Sequence, residues 1–169
     1  ASPVSATEAT RRAEPWNPDQ PLTPRADASR ECTAHSQPED YRVNNRAIIS
    51  TNNAPAAIGP YSQAVKVGGT VWLSGQIPLD PETMTVIEGD ITAQTEQVFA
   101  NLAAVAEAAG GSLDDAVKIN ISLTDMNDFG AVNAVMESRL KEPYPARACV
   151  QVAGLPRGVS VEIEAILAL

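Results

Sequence analysis

Only two segments of this chain carry a helical period, and every other patterned segment reads as a strand, so any sheet it forms has one face without helices. Ile91, Thr95, Val98, Leu102, Val105 and Ala109 recur at steps of four and three. That spacing predicts one buried helix face, with Asp90 as N-cap and Gly110-Gly111 as the stop. Phe129, Val132, Val135 or Met136, and Leu140 make a second amphipathic helix, opened by Asp125 or Asn127 and ended by Pro143 and Pro145. Around them, Ala47 to Ile49, Ala64 to Val67, Thr70 to Gln76, Val117 to Leu123, Ala146 to Val152 and Val159 to Leu169 read as strands. Gly68-Gly69 joins the second and third as a hairpin turn. The order is β-β-β-α-β-α-β-β, an α/β (α+β) architecture with a mixed sheet. Two helices bury one stripe each, so they cover one sheet face and leave the other to water or to another subunit.

The last strand separates the two faces. Val159, Val161, Ile163, Ala165 and Leu167 are apolar and suit the helix-covered side, whereas Glu162, Glu164 and Ile166 point the other way. In the preceding strand Arg147, Cys149 and Gln151 share one side, and Ala148, Val150 and Val152 the other. A face that mixes Arg147, the glutamates, Cys149, Ile166 and Trp72 reads as an oligomer interface with a polar pocket.

These patterns are confined to residues 46–169. Residues 1–45 hold 6 of the 13 prolines, none of the 10 glycines and no periodic apolar run, which predicts a disordered Pro-rich polar tail. The chain opens on Ala1 rather than Met, which points to processing or an incomplete start, and has no apolar h-region that would mark a secretory signal. Residues 46–169 carry 7 basic and 14 acidic side chains. Such a balance repels phosphate backbones, so nucleic acid is not an expected partner. No apolar stretch approaches a membrane span, and no membrane partner is expected. The two cysteines, Cys32 and Cys149, form no disulfide framework and fit a reducing, cytoplasmic setting.

Several strings in residues 46–169 carry a resemblance. They are Asn53-Ala54-Pro55 with Gly59-Pro60-Tyr61-Ser62-Gln63, Leu73-Ser74-Gly75-Gln76-Ile77-Pro78, Asn127-Asp128-Phe129 with Val132-Asn133, Tyr144-Pro145-Ala146-Arg147, and Val161-Glu162-Ile163-Glu164-Ala165. In this order they closely resemble the reactive-intermediate deaminase (RidA/YjgF) family. The resemblance implies a chorismate-mutase-like fold, a homotrimer with clefts between subunits, and hydrolysis of enamine and imine by-products to 2-keto acids and ammonia without a cofactor. The segment from Leu140 to Pro145 is shorter than is usual in the family, which bears on cleft width.

On that resemblance Arg147 anchors the substrate carboxylate, a role its planar, permanently charged guanidinium suits. Glu162 handles the attacking water and moves protons. Glu164 faces the same side and competes for that role, and an ion pair between Arg147 and either glutamate is the structural alternative. Tyr61, Ser74, Gly75 and Asn133 are candidate substrate contacts; Tyr61 also suits plain packing, and Gly75 permits close backbone approach. Cys149 reads as a lining residue, because residues 46–169 contain no histidine to activate it. The lone His35 and two distant cysteines make no zinc sphere, and no metal is expected. Two other functions stand beside the deaminase: a non-catalytic binder of small carboxylates, and a ribonuclease or translation inhibitor, which the acidic balance disfavours.

Overall fold

The computed structural model describes residues 45–169; the predicted tail lies outside them except for Asn45. In chain order the elements are β1 (Arg46–Ile49), β2 (Ala64–Val67), β3 (Thr70–Gln76), α1 (Ile91–Ala108), β4 (Ala116–Leu123), α2 (Phe129–Arg139), β5 (Ala146–Gln151) and β6 (Val161–Ala168). Asp90 caps α1 by accepting the Ala93 amide at 2.9 Å. Gly110, at φ 89°, takes the left-handed conformation that ends the helix. The second helix starts differently from expectation. Asp125 caps a short 3₁₀ turn, Met126–Asp128, and α2 follows from Phe129 without a side-chain cap of its own.

The six strands lie in the order β1-β2-β3-β6-β4-β5. Every neighbouring pair is antiparallel except β4 with β5. Because β6 slots in antiparallel between them, β3 and β4 run the same way. The chain therefore makes two parallel crossovers, β3-α1-β4 and β4-α2-β5, which step in the same direction across the sheet. Crossovers of one hand that step the same way put their helices on the same face.

Register places the core. One cross-strand row runs Ala64, Leu73, Ala165, Ile119, and these side chains are buried under the helices with Phe99, Leu102, Val132 and Val135. The adjacent row runs Ile48, Val65, Trp72, Ile166 on the opposite face, where Ile48 and Trp72 remain 55% and 45% exposed. The uncovered face continues through Glu164 and Asn120, joined by a 2.7 Å hydrogen bond, to Glu162, Ser122 and the exposed Val150. Trp, Ile and Val therefore lie exposed on this face beside paired polar groups.

Candidate active site

The pairing of β4 with β5 corrects the expectation that Arg147 and Cys149 face the same way as Glu162. Parallel partners share a face, and Arg147 pairs with Ile119 and Cys149 with Ile121, both of which lie in the core. Glu162 pairs with Ser122, whose β5 partner is Val150, on the uncovered side. The six candidate residues besides Cys149 thus fall into two groups on one chain, on opposite faces of the sheet.

The first group is built around Glu162, Gly75, Ser74 and Tyr61, which line a cavity of about 270 Å³ with Pro55, Ile58, Ile77, Leu79 and Pro156. A bulge creates it. Between Leu73–Ala165 and Gln76–Ile163 the third strand takes one more residue than the sixth, so Ser74 and Gly75 leave the regular pleat. A Cβ on Gly75 would fall 2.1 Å from Oε1 of Glu162, so the space a side chain would need is filled by that carboxylate. The close approach expected at Gly75 is therefore made by Glu162 itself. Burial, followed by the charge of Glu164, raises the Glu162 pKa above the usual carboxylate value. Ser74 donates its hydroxyl to the Ser62 carbonyl at 2.6 Å, and the Tyr61 hydroxyl accepts the Ile58 amide at 3.3 Å.

Two buried amides, which sequence reading gave no role, hold this wall. Gln63, 3% exposed, accepts the Thr51 amide at 2.7 Å and donates to the carbonyls of Thr51, Ala54 and Pro55. Asn101, 1% exposed on α1, donates to the carbonyls of Ile77 and Leu79 and accepts from Gln97. Each satisfies loop carbonyls that would otherwise be buried unpaired. Asn101 was findable: it interrupts the apolar stripe of α1 between Val98 and Leu102, where an asparagine needs partners.

The second group surrounds Arg147. Its Nη1 donates to Oδ1 of Asn133, its guanidinium carbon sits 5.1 Å from the centroid of the Phe129 ring, and the Met136 sulfur lies at 4.0 Å. All three partners project from α2, so one helix face orients the cation. Asn133, Met136, Glu137, Tyr144, Pro145 and Arg147 line a cavity of about 390 Å³. The ion pair that would make Arg147 merely structural is not formed: among the described residues the salt bridges are Arg139–Glu96 and Lys141–Asp114. Most of the five guanidinium N–H donors are left for a ligand. Cys149 is half-buried and packs against the core, with its thiol pKa raised by burial and partly offset by Arg147. That environment makes a poor nucleophile.

Among the described residues no group of three or more His, Cys, Asp or Glu side chains is placed to hold a metal ion. None of their helices is long and apolar enough to cross a membrane.

Known proteins resemble this chain across the part that carries both cavities. A RutC family protein of Pyrococcus horikoshii is 50% identical over 121 residues, 72% of this chain and 96% of the relative. A 2-iminobutanoate/2-iminopropanoate deaminase of Salmonella typhimurium is 51% identical over 121 residues, covering 70% of this chain and 94% of the relative. The crystal structure of RidA from an Antarctic Psychrobacter is 61% identical, covers 73% of this chain and 99% of that one, and superposes with a TM-score of 0.71. Residues 51–169 match the family described as Endoribonuclease L-PSP, and the chain belongs to this family, the RidA family of reactive-intermediate deaminases.

Proposed function

We propose that this protein hydrolyses 2-imino acids to 2-keto acids and ammonia, in clefts that neighbouring copies of the chain complete within a homotrimer. The observation that carries the reading is the division of the site. An anchor for a carboxylate and a carboxyl group with a raised pKa lie on opposite faces of one sheet, each in its own cavity. Neither cavity holds both. A second copy covering the uncovered face brings its Arg147 cavity against the Glu162 cavity of the first, and also buries Trp72 and Ile48.

In the completed cleft Arg147 grips the substrate carboxylate through two parallel N–H bonds. Glu162, whose pKa is raised by burial and then by the charge of Glu164, is the group placed to carry a proton. Transfer of that proton to the imine nitrogen makes C2 electrophilic, and the carboxylate then takes a proton from the attacking water. Glu162 returns that proton to the carbinolamine nitrogen, ammonia leaves, and the hydroxyl proton passes to the Glu162 carboxylate as the ketone forms. The balance closes with water alone: one C=N bond is exchanged for one C=O bond. Glu164 is committed to Asn120, which supports Glu162 as the acid.

The test is ammonia and keto-acid release from freshly generated 2-aminoacrylate and its branched-chain analogue. Wild type should accelerate release, and Arg147→Ala and Glu162→Gln should each lose about 10²-fold or more in kcat/KM. If wild type leaves the spontaneous rate unchanged while binding keto acids, the protein is a carboxylate binder and the reading fails.

A further inference from the structure

The described residues from 46 onward hold seven basic side chains among fourteen acidic ones. Most of the bases are committed. Lys66 donates to the Ala109 carbonyl at the end of α1, Arg157 to the Met84 carbonyl, Arg139 pairs with Glu96, Lys141 with Asp114, and Arg147 is held by Asn133. Arg46, the first residue of β1, has neither an ion pair nor a side-chain hydrogen bond among the described residues. Among the described residues this guanidinium has no carboxylate, in a domain with carboxylates to spare, and it can take a ligand.

Its position gives that availability a direction. Arg46, Ser62, Val65 and the Gly59–Tyr61 turn wall a cavity of about 490 Å³ that extends to Ser74. Tyr61 and Ser74 also line the Glu162 cavity, so the two spaces adjoin through these residues. Their chemistry differs. The Glu162 cavity presents one carboxyl group among Pro55, Ile58, Ile77 and Leu79. The Arg46 cavity presents a cation, and beside it the Tyr61 hydroxyl, whose oxygen accepts the Ile58 amide and whose hydrogen is free to be donated. A second carboxylate on a substrate is repelled on the Glu162 side and attracted on the Arg46 side.

From this juxtaposition we infer that Arg46 forms a subsite for a second carboxylate, so that the site accepts 2-imino dicarboxylates. This rests on the deaminase reading: the α-carboxylate lies on Arg147 of a neighbouring copy and the reacting carbon lies by Glu162. The distal carboxylate extends past Tyr61 to Arg46.

The experiment compares 2-iminoglutarate with 2-iminopropanoate, each generated in place by an amino-acid oxidase, using the full chain and its Arg46→Ala and Arg46→Lys variants. Arg46→Ala should lose about three- to fivefold in kcat/KM on the dicarboxylate, through KM. It should leave the monocarboxylate unchanged, and Arg46→Lys should restore part of the loss. Equal losses on both substrates, no loss on either, or a wild type that hydrolyses only the monocarboxylate would each overturn the subsite while leaving the deaminase intact. If wild type hydrolyses neither, the deaminase reading fails, and calorimetry with 2-ketoglutarate and pyruvate then decides the subsite. Tighter 2-ketoglutarate binding that Arg46→Ala abolishes supports it, and unchanged binding overturns it.

Discussion

The Glu162 and Arg147 cavities are built by different means. Glu162 sits on β6, a central strand with neighbours on both sides, and its carboxyl group fits a notch that the backbone makes at Gly75. The walls of that cavity are tied down by Gln63 and Asn101 through hydrogen bonds to main-chain carbonyls. Arg147 sits on β5, at the sheet edge, and its side-chain partners among the described residues all come from α2. In the proposed roles, a group that exchanges protons depends on a fixed environment for its pKa, and backbone supplies it. A cation proposed as an anchor needs only aim, which a few side chains provide.

The largest effect breaks or keeps the claim that the two regions work together. Arg147→Ala and Glu162→Gln are each nearly inactive alone in the shared-cleft reading. Refolded together in equal amounts, they should regain about a quarter of the wild-type rate, because a random quarter of interfaces joins two intact halves in a closed ring. Failure to regain any activity, with mixed oligomers demonstrated, would place both residues in one chain's site.

Next in size is the notch. Gly75→Ala drives its new methyl group into the Glu162 carboxylate, so kcat should fall at least about tenfold as the proton-transfer geometry is lost, with KM for the carboxylate anchor little changed. Equal damage to kcat and KM would show that the bulge serves both cavities. A smaller effect sharpens the other side of the comparison. Phe129→Leu removes the ring under Arg147 and should raise KM about two- to fivefold, the scale of an exposed cation–π contact, while kcat holds; Phe129→Tyr should behave as wild type.

The smallest effect concerns pH. A carboxyl group whose pKa is raised in the folded state destabilises the fold while it is ionised. That cost is fully present above the folded-state value and disappears as pH falls below the ordinary carboxylate value. Glu162→Gln should therefore melt slightly higher than wild type at pH 7 to 8, and the gap should close toward pH 4. A gap that widens in acid would mean the carboxylate is stabilised, and the sign of its role would be reversed.

Much of this was legible residue by residue. The hairpin at Gly68-Gly69, the Asp90 cap and the glycine stop of α1 follow from local chemistry, and the structure places them as read. The split of β6 into buried Val161, Ile163, Ala165 and Leu167 against outward Glu162, Glu164 and Ile166 follows from its period of two. The same period misled at β5. It groups Arg147 with Cys149, but apolar Ala148 and Val150 invite the inward reading, and the structure turns them outward. β5 is an edge strand in which only Cys149 is partly buried, so its composition no longer reports which side is core. The bulge at Ser74-Gly75 was likewise invisible, because it is a mismatch between two strands nearly ninety residues apart.

The sequence by itself determined the elements, their caps, the membership of each strand face and the short strings that carry the family likeness. These depend on near neighbours and on the periods of helix and strand. Tertiary structure alone decided which face of β5 carries Arg147, that Gly75 makes room for Glu162, and that the candidate site comes in two halves. Each of those rests on register between strands distant in the chain, which the net balance of packing over the whole sheet selects and no local pattern encodes.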